Sequence, residues 1–224
     1  MHLYSHLQLP ISKQEKDLYA QYGDSNFSMI RGAGQLERPH LMLVFMNPTA
    51  RNITSSSKWK GLKAPWIGTK LVWSMLFKAG ILDKDYHKHI QTLKPQEWDG
   101  AFSEALYNHI AQKDLYITNL ASCTQCDARP LSNTIFREYV SVLYKEITIT
   151  KPKHIITFGN QVSSIVLEHP ISVSEYVDTN GEVIEIDSSN FRVFPTYYPV
   201  GQGQRNMPFA IERIKKLYSL RTQK

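Results

Sequence analysis

Four short runs of apolar and β-branched residues divide the chain, and between them the apolar spacing becomes helical. The runs are residues 41–46 (LMLVFM), 115–118 (LYIT), 154–158 (HIITF) and 192–195 (RVFP). The first three lack the in–out alternation of a half-solvated strand, so they read as strands covered on both faces. Residues 69–79 carry Leu71, Val72, Met75, Leu76 and Ala79, an i, i+4, i+8 stripe closed by Gly80. Residues 132–148 repeat Ile135, Tyr139, Val142, Leu143 and Ile147 before Pro152 stops the helix. Residues 12–22, 161–167 and 207–220 read as further helices. Asn180-Gly181, between Tyr176-Val177 and residues 183–186, is a hairpin signal. This alternation predicts an α/β fold: a three-layer α/β/α sandwich around a four-stranded, mainly parallel sheet, in one domain over residues 1–224.

Composition narrows the setting. The chain has 224 residues, enough for one domain with a substantial core, and no Pro/Gly/Ser stretch is long enough to act as a linker between domains. Two cysteines, Cys123 and Cys126, exclude a disulfide scaffold and make a reducing, cytoplasmic home the default. No apolar run approaches the ~18 residues that span a membrane, and MHLYSHLQLP lacks the pattern of a signal peptide. The net charge of +6 favours an acidic partner such as nucleic acid. A monomer is expected.

In such folds ligands bind beyond the carboxyl ends of the strands. Asn47-Pro48-Thr49 follows the first run, then a polar loop over residues 50–63 that leads to Pro65-Trp66-Ile67-Gly68. Asn119 follows the second, with residues 120–130 after it, and Gly159-Asn160 follows the third. Thr196-Tyr197-Tyr198-Pro199-Val200 and the glycine-rich residues 201–206 follow the fourth. Amides, aromatics and basic groups therefore gather at one sheet edge, with few carboxylates, no histidine and no thiol beyond Cys123 and Cys126. There is no GxxxxGK[ST] loop, no GxGxxG after a strand, no HExxH and no GxSxG elbow. Cys123-Thr124-Gln125-Cys126 has no second CxxC or Cys/His pair to complete a metal shell, and reads as structural or incidental. His87-Lys88-His89 reads as a stretch of solvated, charged linker.

At these strand ends the chain resembles the uracil-DNA glycosylase superfamily, over about residues 31–216. Arg31-Gly32-Ala33-Gly34 followed by LMLVFMNPT resembles the lead-in and first motif. PWIGTKLVWSMLFKAGI is similar to the Pro-Phe-Val-Gly stretch and following helix of the thermostable, iron–sulfur branch. LYITNLASC and KPKHIITFGNQV resemble that branch's second strand and its Lys-Pro, strand, Leu-Gly segment. FPTYYPV stands where the superfamily has Thr-x-His-Pro-Ser. Three departures matter. Two cysteines cannot supply the four ligands of a cluster, so neither metal nor cofactor is expected. Met46-Asn47-Pro48 is similar to the Asn-Pro of the mismatch-specific and single-strand-selective branches, not to the glutamate of the iron–sulfur branch. Tyr198 and Val200 replace the second motif's histidine and serine.

The resemblance implies a DNA glycosylase, acting on double- or single-stranded DNA, and gives each strand-end residue two readings. Asn47 either orients the attacking water or simply caps the turn before Pro48. Asn119 either reads the edge of a pyrimidine or makes a structural hydrogen bond. Trp66 is either the platform under a flipped base, with Met46 beside it, or core packing. Tyr198 either donates to the departing base or reshapes the pocket. Gly201, Gln202, Gly203 and Arg205 match the loop that wedges into DNA, and Arg205 either fills the vacated stack or touches a phosphate. Lys58, Lys60 and Lys63, interleaved with Trp59, read as a phosphate-tracking face or as a solvated loop. The base itself stays open between uracil and a bulky modified cytosine of phage DNA, the second implying a defence role. The rivals to a glycosylase are a degenerate DNA-binding module and a small-molecule α/β enzyme. Purified protein is expected to carry no stoichiometric iron or zinc, and chelator to leave its activity intact. Metal analysis that finds such an ion, lost together with activity, contradicts this.

Overall fold

The computed structural model of the protein describes residues 4–127 and 131–221, so the end of the polar segment expected at 120–130 lies outside them. Helix α1 spans Lys13–Tyr22, with Ser12 Oγ accepting from Glu15 N as its cap. After it come β1 (Ala33–Gly34), β2 (Leu41–Phe45), α2 (Leu71–Lys78), α3 (Lys84–Thr92), α4 (Gly100–Gln112) and β3 (Leu115–Asn119). The second half contains α5 (Asn133–Thr150), β4 (His154–Phe158), α6 (Asn160–Val166), β5 (Glu182–Ile186), β6 (Ser189–Thr196) and α7 (Met207–Ser219).

The sheet order is β1-β3-β2-β4-β6-β5. The four inner strands are mutually parallel, and they contain the four apolar runs of the sequence. Two antiparallel edge strands, β1 against β3 and β5 against β6, correct the expectation of a four-stranded sheet to a mixed sheet of six. β1 is only two residues long, too short to leave a periodic signature. β5 alternates between half-buried and exposed positions over most of its length, as an edge strand with one solvated face does.

The hairpin is also placed differently. Its two-residue turn is Asp187-Ser188, both with positive φ (48° and 59°), joining the pair Ile186↔Ser189. Tyr176 ends a 3₁₀ turn, Val173–Tyr176, and not a strand. Gly181 instead enters β5 at φ 68°, where a Cβ would lie 2.3 Å from the Val193 carbonyl oxygen. The Asn-Gly pair thus answers a close backbone approach, which a turn dipeptide satisfies equally well. The segment read as a charged linker is α3, whose Ile90 is buried and whose His87 ring stacks on Phe77 at 4.1 Å. Polar residues outnumber its apolar stripe, which hid the helical period.

β2 explains the three layers. Leu41, Leu43 and Phe45 face a core built with α2, α4 and α7; Met42 and Val44 face a second core built with α1, α5 and α6. From β2 the chain moves outward to β3, then back across to β4, so neighbouring connections diverge beside the carboxyl end of β2. That divergence opens a crevice. Phe45, fully buried, closes the strand by stacking on Phe158 of β4 with ring centroids 4.2 Å apart. Phe45→Ala is expected to cost about 3–5 kcal/mol, the usual range for a deeply buried phenylalanine. Denaturant unfolding measures this; a loss under about 1 kcal/mol means the site collapses to refill the space.

Candidate active site

The pairing of β2 with β3 does not stop where the strands do. Leu120 N donates to Phe45 O (2.7 Å), Ala121 N to Met46 O (3.0 Å), Gln125 N to Pro48 O (3.0 Å) and Ala50 N to Gln125 O (2.9 Å). Asn47 therefore sits in a segment bonded on both sides, and Pro48 restricts its backbone to extended conformations. Its Nδ2 donates to the Pro48 carbonyl at 3.1 Å. That bond uses one of the two N–H groups of the amide and leaves the carbonyl end to accept.

The loop that follows is built, not slack. Asn52 is buried, donates through Nδ2 to Ala64 O (2.8 Å) and accepts from Thr54 Oγ1 (3.0 Å), so residues 52 and 64 meet. Trp59 turns inward, Nε1 donating to Leu62 O at 3.1 Å, and packs against the first core. Lys63 is half-buried with Nζ on Ser28 Oγ at 2.5 Å; burial, then the charge of Lys60, lowers its pKa. Lys58 and Lys60 are exposed. Of the three lysines, two face solvent as a phosphate contact requires, while the third is tied to the fold.

Trp66 adopts φ 66°, a left-handed backbone that is rare for a bulky side chain and costs about 1–3 kcal/mol. Its carbonyl compensates by accepting from Thr69 Oγ1 (2.7 Å) and Trp73 Nε1 (3.0 Å). The indole meets Phe45 edge-on, with ring centroids 4.8 Å apart. Tyr198 meets the same ring from another side at 6.2 Å. Gly159 N donates to Thr196 O (2.8 Å), joining the end of β4 to that of β6 and setting where Tyr198 begins. Burial pushes the Tyr198 phenol well above its ordinary value, so it is neutral at any physiological pH.

These segments enclose a cavity of about 720 Å³, within the range of small-molecule sites. Met46, Asn47, Trp66, Asn119, Tyr198, Gly201 and Gly203 all line it. Asn119, at the end of β3, is buried, and its Nδ2 has no hydrogen-bond partner among the described residues. Such an amide costs roughly 1–3 kcal/mol unless something else pairs with it. Lys58, Lys60, Lys63 and Arg205 are not in the lining; Arg205 is exposed in a 3₁₀ turn, Gly201–Asn206, beside it. Gln202 belongs to the same turn.

Sequence reasoning missed Thr49, Arg51, Asn52, Thr69 and Lys70 as lining residues. Arg51 stands four positions after Asn47 in the same loop, which was the available signal. Lys70 precedes α2 and offered none; its Nζ donates to Gln91 O at 2.6 Å. Cys123 is buried and Cys126 exposed, both as free thiols. The described residues contain no cluster of three potential metal ligands, and no helix among them is long and apolar enough to cross a membrane.

The sequence profile of the Uracil DNA glycosylase superfamily matches residues 32–218, which takes in every strand and both edges of the cavity. The chain belongs to that superfamily. Its members are hydrolytic DNA glycosylases. No curated protein matches the chain.

In a superfamily member the glycine-rich turn matters because it borders the cavity. At Gly203 an added Cβ would lie 2.0 Å from the Tyr198 carbonyl oxygen, a backbone atom that cannot step aside alone. Gly203→Ala is therefore expected to shift Tyr198 and cut single-turnover base release by roughly 10²-fold, as a 1 Å misplacement can. Melting temperature should fall as well, because Tyr198 packs against the first core, so release is compared where both proteins are folded. Unchanged release would detach Tyr198's position from activity.

Proposed function

We propose that the protein is a monofunctional DNA glycosylase that takes a pyrimidine out of the stack into this cavity and hydrolyses its N-glycosidic bond. The observation that carries the reading is convergence: Asn47, Trp66, Asn119 and Tyr198 come from four separate segments and line one cavity. Each supplies something the reaction needs. The free carbonyl end of Asn47 can hold a water below C1′ without removing its proton early. Trp66 offers a face for the extruded base, worth ~1–3 kcal/mol by stacking. Asn119 offers an unpaired amide to its edge. Tyr198, neutral and held in a dry setting, can donate as negative charge develops on the departing base. Exposed Lys58, Lys60 and Arg205 supply cations for the phosphate backbone. No lysine is placed by motif to form a Schiff base, which favours simple hydrolysis to an abasic site.

One observation favours a second reading of the substrate. The cavity extends past these four residues to Arg51, Thr69 and Lys70, and Val200 makes its second-motif wall apolar. Polar and cationic groups beyond the base-reading set suit a pyrimidine enlarged at its fifth carbon by a hydroxylated substituent. Tyr198 in place of histidine requires the base to sit differently, in keeping with this.

Asn47→Ala is expected to slow single-turnover excision at least ~100-fold while leaving DNA binding nearly unchanged. Excision within a few-fold of wild type would remove Asn47 from the mechanism. The substrate is decided by mass spectrometry of bases released from matched strands carrying uracil, hydroxymethylated cytosine or glucosylated cytosine. Release of uracil alone dismisses the enlarged pyrimidine, and release of no base from any DNA dismisses the glycosylase.

A further inference from the structure

The aromatic surface at this end of the sheet continues past the cavity. Tyr197 and Tyr198 leave the end of β6 in opposite directions, as successive residues of an extended chain do. Tyr198 packs on the first core and lines the cavity, whereas Tyr197 packs on the second core and keeps part of its surface in solvent. The Phe209 ring leans on Tyr197, with centroids 5.3 Å apart and planes inclined at 36°. Phe209 is 47% exposed, and no other aromatic side chain among the described residues is exposed. Apolar residues scattered singly over a surface need no explanation. An open phenylalanine held against a second ring, next to a ligand cavity, calls for one.

Its position follows from the start of α7. Met207 and Ala210 turn into the first core, which leaves Phe209, between them, on the outer side. A helical side chain tilts towards the N-terminus of its helix, which brings the ring back towards the turn Gly201–Asn206. That turn begins at Gly201 in the cavity lining and carries Gln204 and Arg205, both exposed. Cavity, cation and aromatic pair therefore form one continuous strip. Arg213, one turn further along α7, is not part of it: it is buried and donates to the carbonyls of Tyr176, Val177 and Thr179. Glu212 is exposed, but it stands about one helical turn further from the cavity.

We propose that Tyr197 and Phe209 form a second stacking platform, outside the cavity, for the unpaired base next to the extruded nucleotide, so that the preferred substrate is single-stranded DNA. Single-strand binding combines cations for the phosphates with aromatic faces for the bases. Arg205 supplies the first and the open face of Phe209 the second. The pair is in place before DNA arrives, because Tyr197 is held by the core and Phe209 by Tyr197, so little side-chain freedom is lost on binding. Every base has a π face, so the platform adds affinity without reading sequence. In a duplex the neighbouring base is already stacked and paired, and reaching the platform would cost the opening of a second pair. The inference rests on the glycosylase reading for the identity of the extruded base; the stacking itself requires no excision.

The first test is binding without chemistry. The probe is a fluorescently labelled strand of about ten thymidines, within the usual span of a single-strand site, compared with a hairpin duplex of ordinary bases. Anisotropy is expected to show tighter binding to the single strand. Phe209→Ala should weaken that binding roughly 5-fold or more and change duplex binding by less than about 2-fold. Phe209→Tyr should restore it. Phe209→Leu, which keeps the apolar cover but has no π face, should not. Wild-type binding no tighter to the single strand than to the duplex, equal losses on both, or full binding by Phe209→Leu would each overturn the platform.

The second test locates the base by excision from single strands. An abasic nucleotide placed beside the excised one removes the platform's partner. In the wild type, on one side of the target, it should raise the enzyme concentration at half-maximal single-turnover rate by roughly 5-fold or more; in Phe209→Ala it should add nothing further. Losses that simply add would overturn the pairing of this base with this platform. A wild type that binds the thymidine strand in a Phe209-dependent way yet releases no base from any DNA rejects the glycosylase reading and leaves the platform standing. A wild type that releases a base while Phe209→Ala matches it in both assays does the reverse.

Discussion

The burial of β2 on both faces is the constraint from which the rest follows. A strand covered by two cores must be apolar at every position, and residues 41–45 are LMLVF for that reason. With every side chain occupied in packing, β2 can contribute chemistry only beyond its end. The ladder to β3 continues there through the carbonyls of Phe45, Met46 and Pro48, so the first residues past the core inherit its rigidity. Asn47 is the earliest polar side chain after the strand, and the residues on either side of it are bonded to the chain that follows β3.

Phe45 transmits that rigidity to the aromatic wall. Its ring stacks on Phe158, and both Trp66 and Tyr198 lean on it edge-on. Edge-to-face contacts hold aromatic rings at defined angles more firmly than area burial alone. The two rings come from opposite halves of the chain and keep their separation because they share one neighbour. The left-handed backbone at Trp66 belongs to the same design. It aims the indole at Phe45, and the bonds from Thr69 and Trp73 offset the strain.

The parallel core of the sheet was legible because uniform burial leaves an unambiguous record. Leu115, Ile117, Ile155 and Ile156 cannot be solvated in any register. The edge strands were not legible, since β1 has only Ala33 and Gly34, and β5 pairs on one side only. α3 escaped because His87 reads as polar although its ring is stacked and half-covered. For the site, residues immediately after strands were found by position: Met46, Asn47, Asn119, Tyr198, Gly201 and Gly203 meet as their placement implied. Arg51 and Lys70 were not found, because a cation in a loop looks alike whether it faces solvent or a cavity.

The closure of the loop at Asn52 and Ala64 has a consequence for how such a protein can diversify. Because the two ends are joined by the Asn52 side chain, the loop closes on itself before the chain reaches Trp66. Changes of length at its exposed Ser57-Lys58 tip would alter the rim, while Ile53, bonded to Ile67 O at 3.2 Å, stays with the floor. A lineage carrying this device can vary the rim one loop at a time, with Asn47 and Trp66 inherited unchanged.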